Sequence, residues 1–140
     1  VQVTPIQIAK AYAAIANGGY LVTPYLTKKD EEILVNQSRV KLDIDPENIQ
    51  LIKKGLRKVV ESGTGVAINT GVADLPPVSG KTGTAEDWKT GLDHAWFVCF
   101  TPSDKSELLV VAFAQNTPGG GSVHALPMAK EIIKVWNEKN

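Results

Sequence analysis

The sequence has little of several features that usually place a protein in a class quickly. It contains one cysteine, Cys99, among 140 residues, so no disulfide can form within the chain and the thiol says nothing about compartment. No apolar run approaches the roughly 20 residues of a membrane-spanning helix, and no signal-peptide pattern is present. The 15 basic and 15 acidic residues balance, which gives no reason to expect nucleic acid as a partner. The length suits one globular domain or part of one.

The chemically active residue types concentrate in residues 79–86, with the sequence Ser-Gly-Lys-Thr-Gly-Thr-Ala-Glu. This stretch is predicted to be a strand, on which Thr82 and Thr84 point to the same side. Gly83 between them has no Cβ, so a ligand or another backbone can come close there. The two hydroxyls beside the Lys81 ammonium suit a carboxylate, and backbone N–H groups are available for a developing oxyanion. A glycine-rich turn with a solvated lysine is an equally good interpretation of this stretch alone.

A phosphate-binding loop is a rival interpretation, because Gly-Lys-Thr also ends the Walker A pattern. That pattern requires a glycine five positions before Gly80, where this chain has Leu75. The loop must also open a helix whose N-terminus faces the phosphates, and Gly83 followed by Thr84 is a poor helix start. The sequence therefore argues against nucleotide binding.

Three helices are predicted from capping residues and apolar periodicity. The first has Thr4 as N-cap, with Gln7 completing a capping box, and ends at residues 18–19. The second begins after Asp45 and ends in residues 62–65, and the third lies near the C-terminus. The predicted apolar stripes are Ile8, Ala11, Tyr12 and Ile15, then Ile49, Ile52, Leu56, Val59 and Val60, and finally Met128, Ala129, Ile132, Ile133 and Trp136. The basic face of the second helix, expected to be solvated, is Lys53, Lys54, Arg57 and Lys58.

The remaining periodic segments predict strands. Residues 94–100 and 108–114 are nearly continuous in apolar residues, as strands covered on both faces are. With the Lys81 strand they form a three-stranded antiparallel sheet, and shorter strands are predicted at 33–35 and 40–44. His94, which has no evident carboxylate partner, is interpreted as structural, and Cys99 as a core residue. The predicted fold class is α+β, with the helices packed against the sheet.

Several segments resemble the transpeptidase domain of penicillin-binding proteins, and they follow one another in that family's order. Lys-Thr-Gly-Thr at 81–84 contains one of three elements shared by penicillin-binding proteins and serine β-lactamases. Residues 3–19, from Val-Thr-Pro-Ile-Gln-Ile-Ala to Asn-Gly-Gly, are similar to the helix that follows the family's Ser-x-Asn motif. The segment 60–67, the Ala-Trp-Phe strand at 95–97, the glycine-rich loop at 116–122 and the closing helix also match. The resemblance covers nearly the whole chain and is weakest between residues 27 and 44.

The other two shared motifs are missing from the chain. No Asn has Ser or Tyr two positions before it, so the Ser-x-Asn motif is absent. The one Ser-x-x-Lys runs from Ser38 to Lys41 in a segment whose apolar residues alternate as on a strand. That places Ser38 and Lys41 on opposite faces, whereas a nucleophile and its lysine must share a helical face.

The chain is therefore expected to be a partial domain, 1–140, of the transpeptidase/serine β-lactamase-like fold, and to be inactive by itself. Residues 1–70 are expected to form a helical part with short strands. Residues 71–140 are expected to hold the Lys-Thr-Gly strand, two further strands and the C-terminal helix. The nucleophile, its lysine and the middle motif would lie before Val1. Without those elements the chain, though soluble, is expected to expose apolar surface and a strand edge and to self-associate.

The resemblance implies a function for the parent protein. The parent would be a class B, elongation-type D,D-transpeptidase that cross-links peptidoglycan stem peptides through a serine nucleophile and binds β-lactam antibiotics. It would be anchored in the cell membrane, act on the extracytoplasmic side, and use no metal or cofactor. The resemblance assigns Lys81 to charge stabilisation toward the Ser-x-Asn element, and Thr82 and Thr84, on either side of Gly83, to the ligand carboxylate. The backbone N–H of Thr84 would be one of two oxyanion donors.

Two other functions stay open at this point. A non-catalytic sensor or scaffold module of a cell-wall complex could keep the same fold for partner binding, and the parent's upstream sequence would distinguish it. A β-lactamase is the second, and the Thr-Pro helix together with the Ala-Trp-Phe strand argues against it.

Overall fold

The computed structural model describes residues 2–25, 39–71 and 74–140. In chain order the elements are α1 (Pro5–Ala16), β1 (Tyr20–Leu21), β2 (Val40–Lys41), α2 (Pro46–Ser62), a 3-10 helix (Val66–Asn69), β3 (Ser79–Asp87), β4 (Leu92–Thr101), β5 (Leu108–Thr117) and α3 (Ala125–Asn137). The α+β class is confirmed. The strand predicted at 33–35 and the Ser38 position lie outside the described residues. Within the described ranges, no helix has the length and hydropathy that a membrane crossing requires.

The strands form two antiparallel sheets. The larger sheet has the order β3-β4-β5, and β1 pairs with β2 in a separate two-stranded sheet. Consecutive strands are neighbours because short turns connect them, as the polar segments between the predicted strands indicate. The three-stranded antiparallel sheet predicted from the sequence is therefore confirmed.

The helix ends follow their capping residues. The Thr4 N–H donates to Gln7 Oε1 at 2.8 Å while the Gln7 N–H donates to Thr4 Oγ1 at 3.4 Å, which is the predicted capping box. At the other end of α1, Gly18 and Gly19 have φ angles of +86° and +100°, a conformation that glycine adopts without a Cβ penalty. These two residues turn the chain from α1 into β1. Asp45 caps α2 by accepting from the Glu47 N–H at 2.8 Å.

The main core lies between one face of the larger sheet and helices α2 and α3. Residues paired across strands share a face, and Phe97 is paired with Ala112 and Cys99 with Val110. The buried cluster on this face is Val60, Ile68, Val78, Ala95, Phe97, Cys99, Val110, Ala112, Ala125, Leu126, Ala129 and Ile133. On the other face, Phe100 packs in a smaller cluster with Ala16 of α1 and Leu56 of α2.

The buried stripes of the helices are narrower than predicted. On α3 the prediction is wrong for Met128 and Ile132, which are 47% and 48% exposed, whereas Leu126, Ala129 and Ile133 are buried. A helix that lies on a three-stranded sheet buries a thin stripe, and positions at its flank stay in solvent. The same reason accounts for Ile52 of α2 and Ala11 of α1, which are also exposed. Self-association of the chain through such residues stays a prediction.

The basic face of α2 is solvated only in part, so that interpretation is wrong for two of its four residues. Arg57 donates from Nη1 to the backbone carbonyl of Val78 at 2.7 Å, immediately before β3. Lys53 donates from Nζ to the carbonyl of Ala16 at 3.2 Å, at the end of α1. Long basic side chains can lay their apolar stems along a surface and use the charged end to bond a carbonyl. Through these bonds α2 is tied to both α1 and the entry of β3.

Candidate active site

The Lys-Thr-Gly-Thr residues lie on β3, which has β4 on one side and no described strand on the other. The strand continues from Ser79 to Asp87. It therefore does not open a helix after Gly83, which excludes the phosphate-loop geometry. An edge strand directs alternate backbone N–H and C=O groups outward, where a ligand can bond to them.

The pairing of β3 with β4 determines which side chains of the site share a face. Thr82 lies opposite Phe97 and Thr84 opposite Ala95, two residues that face the main core. The two hydroxyls are therefore on one face of the sheet, in agreement with the strand pattern of the sequence. Lys81 starts from the other face of the strand.

Lys81 carries an exposed positive charge at the edge of the sheet. Its Nζ donates to the carbonyl oxygen of the neighbouring Thr82 at 2.6 Å. The ion pairs found within the described residues involve only Arg57, Lys58 and Glu61. The Lys81 ammonium is thus held by a backbone carbonyl rather than by a described carboxylate, and it is available to an anion that approaches β3.

Thr82 has a partner that the sequence reasoning missed. Its Oγ1 lies 2.6 Å from Oγ1 of Thr64, which makes a hydrogen bond between the two hydroxyls. Thr64 is the second residue after α2 and lies between Gly63 and Gly65. The Ser-Gly-Thr-Gly pattern indicates the end of a helix, but nothing in it shows that the segment returns to the site strand 18 residues later.

The glycine-rich loop between β5 and α3 packs directly on the site strand. A Cβ on Gly121 would overlap the carbonyl oxygen of Trp96 and would lie 2.7 Å from the carbonyl oxygen of Gly83. A Cβ on Gly120 would overlap Oγ1 of Thr84. Gly121 therefore requires the smallest side chain, because its neighbours are backbone atoms, and the loop backbone lies above Gly83 and beside Thr84. The sequence predicted a loop here but not this contact.

The entry of β3 is fixed by several hydrogen bonds. Ser79 is buried and its hydroxyl donates to Ser103 Oγ at 3.0 Å. The Thr101 hydroxyl donates to the carbonyl of Pro77 at 3.1 Å, and Arg57 donates to the carbonyl of the next residue, Val78. These bonds connect the start of β3 to β4, to the β4–β5 turn and to α2. The Lys-Thr-Gly-Thr residues that follow are thus positioned by a rigid scaffold, as a binding site requires.

His94 and Cys99 both have structural surroundings. The His94 ring accepts from the Asn116 N–H through Nδ1 at 3.3 Å and packs edge-on against Phe113. Cys99 is fully buried, and this burial raises the pKa of its thiol to about 12. A thiol with that pKa is protonated at neutral pH and is not a nucleophile. The interpretation of Cys99 as a core residue is confirmed.

No described serine has the surroundings of an activated nucleophile. Among residues 39–71 and 74–140, the lysine ammonium groups that have a partner bond backbone carbonyls, one threonine hydroxyl and the Glu61 carboxylate, and none bonds a serine. Ser79 is buried and its hydroxyl donates to Ser103 Oγ. An activated serine needs a base within hydrogen-bond reach, and the described residues do not supply that pair.

The family model described as the penicillin-binding protein transpeptidase domain matches residues 1–134. The chain belongs to this family. The match includes all of β3 and the glycine-rich loop, so the site strand and the loop that packs on it are both parts of the transpeptidase domain.

The domain is also similar to individual proteins. It is 32% identical over 153 residues to the peptidoglycan D,D-transpeptidase MrdA of Haemophilus influenzae, covering 95% of this chain and 23% of that protein. Pseudomonas aeruginosa PBP2, solved in complex with WCK 5153, has a TM-score of 0.76 and 31% identity, over 96% of this chain and 30% of that chain. Penicillin-binding protein A of M. tuberculosis, solved as an imipenem acyl-enzyme complex, has a TM-score of 0.74 and 25% identity, over 94% of this chain and 30% of that chain. The chain spans less than a third of each of these proteins.

Proposed function

We propose that this domain works within a serine D,D-transpeptidase that cross-links peptidoglycan stem peptides, and that β3 binds the ligand carboxylate. The observation that carries the proposal is the pair of hydroxyls of Thr82 and Thr84 on one face of an edge strand, with the Lys81 ammonium bonded to the Thr82 carbonyl. Hydroxyl donors and a cation are the groups that bind a carboxylate in a partly exposed site. The family membership supplies the reaction for which such a site is suited.

In this proposal the nucleophile is a serine of the parent protein outside the described residues. Its hydroxyl oxygen attacks the carbonyl carbon of the D-alanyl-D-alanine bond, and the terminal D-alanine leaves with a proton on its nitrogen. An amine of a second stem peptide then attacks the ester, forms the cross-link and returns the proton to the serine. A β-lactam reacts in the first step, and its opened ring stays attached as an acyl-enzyme.

The residues of β3 have separate roles in these steps. The Thr82 and Thr84 hydroxyls hold the carboxylate of the terminal D-alanine or of the antibiotic, and Gly83 leaves room for it. The backbone N–H of Thr84 donates to the oxyanion that forms on the attacked carbonyl, a contribution of about 2.7–4 kcal/mol for one such donor. Lys81 adds positive charge beside the developing negative charge.

The location and subclass of the parent are part of the proposal. A protein that cross-links peptidoglycan works on the extracytoplasmic side of the cell membrane, and we place the parent there, attached to that membrane. The similarity to a protein named peptidoglycan D,D-transpeptidase supports this location, because its substrate lies in the cell wall. The elongation-type, class B assignment stays a prediction from the sequence.

The 140-residue chain alone is expected to form no covalent adduct with a β-lactam, whereas its full-length parent forms one. The chain holds the carboxylate site but no serine with an activating lysine among its described residues. Incubation of both proteins with a fluorescent penicillin, followed by a denaturing gel, measures this. Excess unlabelled penicillin should compete for the nucleophile and prevent labelling of the parent.

Two results of that experiment would contradict the proposal. A labelled band on the chain alone would mean that it contains a nucleophile, and Ser38 would be the first residue to replace. A folded parent that takes no label would overturn the transpeptidase function itself and would favour a non-catalytic sensor or scaffold.

Replacing Thr84 by valine in the parent should slow acylation, but less than removing the Lys81 side chain does. Valine has the shape of threonine, so it keeps the contact with Gly120 and the backbone N–H of residue 84. The change removes one hydroxyl donor, worth about 0.5–1.5 kcal/mol, or somewhat more toward a charged acceptor. Stopped-flow acylation rates of the two variants provide the comparison. A valine variant slower than the Lys81→Ala variant would show that the Thr84 side chain has the larger role.

A further inference from the structure

The hydrogen bond between the Thr64 and Thr82 hydroxyls joins the site strand to a residue that has no role in the proposed function above. The two oxygens are 2.6 Å apart. Thr64 is exposed and Thr82 is partly exposed, so the pair lies at a surface that a ligand can reach. The pair is also far apart in the chain, which means that the fold, and not local sequence, brings it together.

The backbone around Thr64 is held firmly against α2. The N–H groups of Gly63 and Gly65 both donate to the carbonyl oxygen of Val59, at 3.1 and 2.9 Å. A Cβ on Gly63 would lie 3.0 Å from Cα and from the carbonyl oxygen of Val59, so both glycines pack closely on that residue. Two glycines and a shared acceptor thus fix the position from which the Thr64 side chain extends.

The 3-10 helix that follows Thr64 is fixed as well. Asn69 donates from Nδ2 to the carbonyl of Val60 at 2.9 Å. Lys130 of α3 donates to the carbonyl of Ala67 at 3.1 Å and also bonds the carbonyl of Thr70. Since Arg57 ties α2 to the entry of β3, the distance between Thr64 and Thr82 is set by anchors on both sides.

The chemistry of two adjacent hydroxyls gives this bond a direction once a carboxylate is bound. Each hydroxyl has one proton to donate and lone pairs that accept. If Thr82 gives its proton to a carboxylate, the bond between the threonines persists only with Thr64 as the donor. A hydroxyl that accepts one hydrogen bond becomes a better donor in the next, by about 10–30% per bond. Thr64 would therefore orient the Thr82 proton toward the ligand and strengthen its bond.

We propose that Thr64 is a positioning residue of the carboxylate site, which donates to Thr82 and so directs the Thr82 proton at the ligand carboxylate. The proposal rests on the carboxylate role given to Thr82 under the proposed function. It assigns Thr64 no direct contact with the ligand, because its one proton is used toward Thr82.

The test measures acylation of the full-length parent by a penicillin and by the methyl ester of the same penicillin. Thr64→Val should slow acylation by the free acid about three- to tenfold, because the Thr82 proton is then no longer directed at the ligand and about one neutral hydrogen bond to the carboxylate is lost. Acylation by the ester, which has no carboxylate, should change less than twofold. Thr64→Ser keeps the hydroxyl and should restore the rate. In a Thr82→Val background, Thr64→Val should have no further effect, because it acts only through Thr82.

Thr90→Val is the matched control, since Thr90 is an exposed threonine in the turn between β3 and β4 whose hydroxyl bonds Oδ2 of Asp87 at 3.1 Å. It should leave both rates unchanged.

A normal rate for Thr64→Val together with a slow Thr82→Val would overturn this proposal and leave the carboxylate site standing. Equal slowing with acid and ester would overturn it too, because Thr64 would then be a purely structural residue. Additive effects in the double variant would mean direct contact with the ligand, also against the proposal. A normal rate for Thr82→Val would remove the carboxylate site itself.

Discussion

Replacing Lys81 by alanine in the full-length parent should lower the rate of β-lactam acylation by at least about tenfold, or about 1.4 kcal/mol. The Lys81 side chain is exposed and, among the described residues, bonds the adjacent Thr82 carbonyl, so its loss removes positive charge with little loss of packing. The midpoint of thermal unfolding should therefore change by no more than a few degrees, since exposed substitutions of this kind cost about 0.5 kcal/mol or less. Stopped-flow acylation and a melting curve measure the two effects.

Lys89→Ala provides the matched control for that change. Lys89 is another exposed lysine, in the turn between β3 and β4, where its Nζ lies 5.5 Å from the centre of the Trp88 ring. Its removal changes the net charge by the same amount and should leave acylation unchanged. An unaltered rate for Lys81→Ala, or equal slowing by both variants, would exclude Lys81 from the site.

Replacing Gly121 by alanine should destabilise the domain by about 3 kcal/mol or more, at the upper end of what overpacking costs. The added methyl group would overlap the backbone oxygen of Trp96 and would lie 2.7 and 2.9 Å from the backbone oxygen and nitrogen of Gly83. Backbone atoms of a central and an edge strand cannot move aside as a flexible side chain can. Either the loop lifts from the sheet or β3 shifts, and both outcomes disturb the site. The unfolding midpoint by circular dichroism measures the loss.

Gly55→Ala is the control for that substitution. Gly55 lies within α2, is exposed, and a Cβ there would meet nothing within 4 Å. Alanine in a helix interior should stabilise by about 0.5–1 kcal/mol relative to glycine. If the Gly121→Ala variant melted at the wild-type temperature, and the full-length parent with the same change was acylated at the normal rate, the close packing of the loop on β3 would be contradicted.

Much of the fold was predictable from local residue patterns. The helix ends at Thr4 and Asp45 follow from capping residues, which act over three or four positions in the chain. The strands β4 and β5 follow from continuous apolar runs. The widths of the buried helix stripes were harder to predict, because the exposure of Met128 and Ile132 depends on how little of α3 a three-stranded sheet can cover. That is a property of the assembled layers and not of the helix sequence.

The candidate site also combines features that local sequence predicts with features that it does not. The placement of Lys81, Thr82 and Thr84 on one strand was predictable because the alternating pattern lies within four positions, while their roles in the site stay a proposal. The contacts of Thr64 and Gly121 with β3 were not predictable, because they join residues that are 18 or more positions apart in the chain. Arg57 was taken for a solvated residue, since a pattern of basic residues on one helix face does not reveal that a carbonyl such as that of Val78 lies within reach.

The most direct test of the central claim, that β3 is the carboxylate-binding strand of a D,D-transpeptidase, is a crystal structure of the full-length parent after reaction with a penicillin. The expected electron density shows the antibiotic covalently attached to a serine of the parent. Its carboxylate should lie within hydrogen-bond distance of the Thr82 and Thr84 hydroxyls, and its acyl oxygen on the Thr84 N–H. An acyl-enzyme whose carboxylate binds elsewhere would contradict the assignment of β3, and a crystal without covalent antibiotic would contradict the proposed reaction.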